Sequence, residues 1–100
     1  MLVVHLRFTV APETRQQTLE TLVAGAPVVR AMPGCIAYIP FSDPTDDTAV
    51  GILQEWEAGE DLAAYTASET FRSFGAALRP MMTAKPVSKR FSAELIEVIN

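Results

Sequence analysis

A chain of 100 residues is one domain by size, and a make-up of 49% hydrophobic and 20% charged residues is that of a globular chain rather than a disordered one. The net charge of −4, with eight Lys and Arg scattered along the chain, offers no basic stripe to a phosphate backbone, so nucleic acid is not an expected partner. The lone cysteine, Cys35, rules out an internal disulfide and C-x-x-C metal spacing, and no apolar run approaches the ~20 residues a membrane-spanning helix needs.

The N-terminal run MLVVHLRFTV lacks the features of a signal peptide and reads as a strand, with a cytoplasmic location as the default. Over residues 2–10, Leu2, Val4, Leu6, Phe8 and Val10 alternate with Val3, His5, Arg7 and Thr9, giving one strongly apolar face. Pro12 and Glu13 suit a first helical turn. Leu19, Leu22, Val23, Ala26 and Val29 then supply a stripe at helical spacing, with Pro27 predicting a kink or break near Gly25. Pro33-Gly34 is a stop, and Cys35 to Phe41 reads as a second strand. The segment Ser42 to Asp47 has turn chemistry. Ala49 to Glu57 is a third strand with Val50, Ile52, Gln54 and Trp56 on one face, pairing antiparallel with the second. Gly59 to Tyr65 is a short helix, and Ser68 caps another whose stripe is Phe71, Phe74, Leu78 and Met81 or Met82, with a bend at Pro80. Val87 to Ile99 reads as a last strand, with Leu95, Ile96, Val98 and Ile99 adding apolar surface.

The order β-α-β-β-α-β is a split βαβ pattern: a ferredoxin-like α+β domain over residues 1–100, with a four-stranded antiparallel sheet and helices on one face. The other face, carrying His5, Arg7, Leu53 and Glu55, is left bare in a monomer. A homodimer through that face is the expected partnership. His5 is the only histidine and so the first candidate for a general base, but strand parity turns it to the bare face, where a structural role with Glu55 as hydrogen-bond partner is the expectation. Glu55 itself has Arg7 or Arg90 as candidate ion-pair partners. Cys35 has no neighbour that would activate a thiol and reads as a spectator. No metal-ligand cluster and no glycine-rich phosphate loop is found.

The run Leu53-Gln54-Glu55-Trp56-Glu57, then Glu60 to Tyr65 and Ser68 to Arg72, resembles the antibiotic biosynthesis monooxygenase-like family, as do Pro33-Gly34-Cys35 and the Asp43 to Asp47 turn. The resemblance spans nearly the whole chain and implies a dimeric α+β barrel with a pocket between helices and sheet in each protomer. Trp56 matches the family's strand tryptophan. The haem degraders' iron-binding histidine falls on Gly75 and their first-strand asparagine on Leu6, so no haem or other cofactor is implied. The polyketide oxygenases' asparagine and tyrosine fall on Ile52 and Leu62.

Trp56 and Tyr65 are therefore the candidate catalytic residues, each with a polar tip able to donate to a substrate oxygen. Phe71, Phe74, Leu78 and Ile52 are the candidate substrate-binding wall. The resemblance implies a cofactor-independent monooxygenase acting on a small aromatic such as a quinol or polyketide. The alternative is a non-catalytic dimer of the same fold that binds a small ligand or a partner, which suits the sparse polar inventory. Enolate isomerisation would need a base that only His5 or a carboxylate could supply.

Overall fold

A computed structural model describes residues 1–100. Strand β1 (Leu2–Thr9) leads through a 3-10 turn (Pro12–Thr14) into helix α1 (Arg15–Arg30). Strands β2 (Cys35–Ser42) and β3 (Ala49–Trp56) follow, then helices α2 (Gly59–Thr66) and α3 (Glu69–Leu78), a second 3-10 turn (Arg79–Met81) and strand β4 (Val87–Ser92). The sheet order is β2-β3-β1-β4 with every neighbouring pair antiparallel, the ferredoxin-like arrangement, and the helices lie on one face.

The alternation in β1 and β3 places Val4, Phe8, Val50, Ile52, Gln54 and Trp56 inward, all buried. From α1, the residues that meet them are Thr18, Leu22, Ala26 and Val29. Val23, expected in this stripe, is 61% exposed because it stands about 100° round the helix from Leu22. Thr18 is buried without penalty because its hydroxyl donates to the Thr14 carbonyl at 2.9 Å.

Pro27 does not break α1, which runs unbroken from Arg15 to Arg30. Pro27 lies on the exposed side of the helix, where the carbonyl deprived of its partner can be hydrated. Gly25 is no hinge either. A Cβ there would collide with the Phe74 ring, so the glycine is the notch through which α1 and α3 approach. At the helix end, Arg30 Nε donates to the Tyr38 carbonyl at 3.0 Å and ties α1 to β2. Gly34 takes φ +78°, the left-handed conformation glycine permits, and turns the chain into β2.

The β2–β3 loop is held by two aspartates. Asp43 Oδ1 accepts from the Thr45 N–H and hydroxyl, and Asp46 Oδ1 accepts from the Thr48 N–H and hydroxyl. Ser68 caps α3 by accepting from the Phe71 N–H at 3.2 Å.

Strand β4 stops at Ser92, short of the expected Ile99. Its only partner is β1: the ladder runs from Arg7 opposite Val87 to Leu2 opposite Ser92, and the Ala93 N–H donates to the Met1 carbonyl. Leu95, Ile96, Val98 and Ile99 therefore add nothing to the core and stand 65–90% exposed.

The bare face carries Ile39, Phe41, Val87 and Phe91 among its exposed apolar residues. The expected pairings of Arg7 and His5 with Glu55 are replaced. Arg7 reaches Asp43 at 3.0 Å, and the His5 ring packs on Phe91 with centroids 5.3 Å apart. Arg90 stands opposite Val4 and so shares its helix-side face, out of reach of Glu55 on the other.

Candidate active site

Helix α1 packs over β2, α2 leans on β3, and α3 packs against α1 and α2. The part of the sheet formed by β1 and β4 is left without a helix directly over it. A cavity of about 600 Å³ occupies that space. Its floor is Val4, Leu6 and Phe8 of β1 with Ile52 and Gln54 of β3, and its far wall is α3 with Phe71, Phe74 and Leu78. Tyr38 and Tyr65 close the β2 end, while the segment Met82–Pro86 and residues Ser88 and Arg90 of β4 border the other.

Of the residues expected at the site, the cavity brings together Tyr65, Ile52, Phe71, Phe74 and Leu78. Trp56 is not among the lining residues. It is fully buried behind Tyr65, with the two rings stacked at 5.4 Å, and its indole Nε1 donates to Gln54 Oε1 at 3.0 Å. Its one donor is thereby used within the protein, so it cannot also serve a substrate oxygen.

That bond fixes Gln54. The atom facing the indole must be the amide oxygen, since an N–H can meet only an acceptor. The Gln54 Nε2 group then points the other way. It makes no hydrogen bond within the protein, is not sealed off, and belongs to a side chain that lines the cavity. Two N–H donors are thus presented on a residue that is only 5% exposed.

The Tyr38 and Tyr65 hydroxyls lie 3.1 Å apart. One donates to the other, which leaves one hydroxyl proton of the pair uncommitted. Burial pushes the ionisation of both phenols up; Tyr65 adds to the rise at Tyr38, while the hydrogen bond with Tyr38 partly offsets it at Tyr65. Both are therefore neutral donors at physiological pH. Tyr65 also meets Phe71 edge-on at 5.3 Å, which joins the polar end of the cavity to its apolar wall.

No Asp, Glu, His or Cys lines the cavity. His5 is on the opposite face of the sheet, and burial pushes the Cys35 thiol up, only partly offset by Arg30. Leu6 and Gly75, at the positions where haem degraders carry polar residues, both line the cavity and offer no ligating atom. What the site can do chemically is exclude water from an apolar ligand and donate hydrogen bonds to oxygen; it holds no general base.

Sequence reasoning missed Tyr38, Gln54 and the cations of β4 and the 3-10 turn. Gln54 was placed on the correct face, but nothing in its spacing shows which end of its amide is free. Tyr38 is hidden by the β-bulge between Cys35 and Ala37, which upsets the alternation of β2.

A sequence model of the family described as antibiotic biosynthesis monooxygenase matches residues 1–77. Among solved structures, a candidate antibiotic biosynthesis monooxygenase from Deinococcus radiodurans is 20% identical, covers all of both chains and superposes with a TM-score of 0.90. One from Caulobacter crescentus is 22% identical over 94% of this chain and 90% of its own, with a TM-score of 0.88. A conserved protein from Methanosarcina mazei is 17% identical over 93% and 92%, with a TM-score of 0.86. At these identities the likeness is one of fold. No curated protein sequence matches the chain.

Proposed function

The chain belongs to the antibiotic biosynthesis monooxygenase family, and on that premise we propose that it is a cofactor-independent monooxygenase of a small, electron-rich aromatic such as a quinol or an anthrone. The observation that carries this reading is the free amide of Gln54 beside the Tyr38–Tyr65 pair, at the closed end of an apolar cavity that holds no base. A substrate for such a site has to bring its own acidity. The anion of an anthrone-type substrate reacts with oxygen by electron transfer and radical recombination, giving a carbon-bound peroxide. Loss of water from the protonated peroxide leaves a carbonyl, so that CH2 and O2 become C=O and H2O. The protein's share is to orient the ring, keep out bulk water and place donors where negative charge gathers on oxygen.

Gln54 and Tyr65 take the donor roles in this reading, and Tyr38 positions Tyr65. Ile52, Phe71, Phe74 and Leu78 form the slot for the ring. Trp56 acts through Gln54: its N–H holds the amide with the nitrogen towards the cavity, so it is a positioning residue. Burial of a planar ring against this wall contributes roughly 25 cal/mol per Å² of apolar area, before the costs of association.

The proposal includes a homodimer formed through the bare sheet faces. Ile39, Phe41, Val87 and Phe91 are exposed on that face, and the aliphatic tail residues Leu95, Ile96, Val98 and Ile99 are exposed as well, apolar surface that a second copy would cover.

The test is oxygen uptake with a panel of quinols and anthrones, using the unaltered protein and the Tyr65→Phe and Trp56→Phe variants. Turnover above the uncatalysed rate, reduced in both variants, is expected. Absence of turnover with every member of the panel removes the oxygenase reading and leaves the non-catalytic, ligand-binding alternative. Turnover that both variants retain in full refutes the assignment of the site.

A further inference from the structure

We propose that the cavity selects a planar aromatic anion, a ring system bearing a carboxylate or an equivalent acidic group, which Arg79 and Arg90 hold at the β4 side. The inference deepens the oxygenase reading and rests on it for the site, but its own content is the charge of the ligand.

The chain carries twelve acidic residues against eight Lys and Arg. Its cavity reverses that balance: Arg79, Lys85 and Arg90 line it, and no carboxylate does. Neither arginine is committed elsewhere, since the arginines that form ion pairs are Arg7, with Asp43, and Arg72, with Glu69. Both are exposed residues on the cavity's rim, and two positional details turn them to its side. Arg90 stands opposite Val4 in the β1–β4 ladder, so it projects to the helix side although the other face of this edge strand was open to a charged residue. Arg79 follows Gly75 by four residues, and its Nη2 lies 3.0 Å from where a Gly75 Cβ would stand. The missing side chain leaves the guanidinium room to fold back along the last turn of α3, and both residues line the cavity.

The cavity is therefore polar at two places, with an apolar wall between them. One is the neutral donor set of Gln54 and Tyr65; the other is the cationic side at Arg79 and Arg90. A guanidinium binds a carboxylate through paired, charge-assisted hydrogen bonds. A ligand with a reactive oxygen at one end and an acid at the other would be held in a single orientation.

The experiment is calorimetric titration at low ionic strength with 2-naphthoate and with its neutral amide, 2-naphthamide, which matches it in size. Naphthoate should bind at least about tenfold more tightly, with a preference that shrinks as salt is added. Arg79→Gln and Arg90→Gln should each remove several-fold of that preference and leave naphthamide affinity unchanged. Gly75→Ala should act in the same direction by displacing an intact Arg79, whereas Arg72→Gln should change neither affinity. Equal affinities for the two probes, equal losses for both in the variants, or no binding of either probe overturns the proposal. Oxygen uptake separates its failure from that of the oxygenase reading. Charge-selective binding by a protein that never consumes oxygen retires the oxygenase and leaves the anion site; uptake that ignores substrate charge does the reverse.

Discussion

Replacing Gln54 by Leu removes two things at once, and the structure separates them. The first is the acceptor for Trp56 Nε1, which is 3.0 Å away in a place where Trp56 has no exposed surface. A buried donor left without a partner costs about 1–3 kcal/mol of stability. The second is the free amide facing the cavity, whose loss should lower turnover by about 10²-fold if it stabilises developing charge on oxygen. Trp56→Phe resolves the pair, because a phenyl ring has no N–H to strand. In that background Gln54→Leu should cost little stability, so the coupling between the two positions in urea unfolding should be about 1–3 kcal/mol. The turnover loss, by contrast, should be largest in the Trp56 protein and smaller in the Trp56→Phe background, where the amide has already lost the bond that orients it. A folded Gln54→Leu protein that oxidises substrate at the normal rate would refute the role given to the amide. An equal stability cost in both backgrounds would refute the account of the buried bond.

Three further outcomes follow from the geometry. Gly25→Ala should destabilise the protein by about 1–3 kcal/mol, because the added methyl meets the Phe74 ring, whereas helix propensity alone would make it stabilising; denaturant unfolding reads the sign directly. Asp43 is held down to about 2 by the Thr45 hydroxyl and N–H and then by Arg7, so its contribution is complete above the ordinary aspartate value of 3.8 and is lost as pH falls towards 2. Asp43→Asn should therefore flatten the fall in stability across that window, as followed by unfolding at a series of pH values. Replacing Ile39 and Phe91 together by Lys should yield a monomer in sedimentation if the bare faces pair, and should leave the assembly unchanged if they do not.

The elements of this fold were legible wherever a single periodicity governed. β1 and β3 alternate without interruption, so the buried faces through Val4 and Phe8 and through Ile52 and Trp56 follow from spacing alone. The capping of α3 by Ser68 is equally local. The features that could not be read depend on what lies across space. The Phe74 ring turns Gly25 from an apparent breaker into a contact. β4 ends with its ladder to β1 at the Leu2–Ser92 pair, however apolar Leu95 to Ile99 are. The spacing brought Trp56 and Gln54 to one face but could not show that the tryptophan spends its donor on the glutamine, leaving the glutamine to face the ligand. Sequence offers Arg90 only as an ion-pair candidate for Glu55 and gives no signal at Arg79; the strand register and the Gly75 gap are what bring both to one space.

The most direct test of the account is a turnover of an anthrone under ¹⁸O₂, with product mass and oxygen consumption followed together. The account predicts that one oxygen atom of each O₂ consumed enters the product carbonyl and the other leaves as water, at a rate that falls about 10²-fold in Gln54→Leu. Oxygen consumption no faster than the protein-free reaction, or a product that carries no label from O₂, would contradict it.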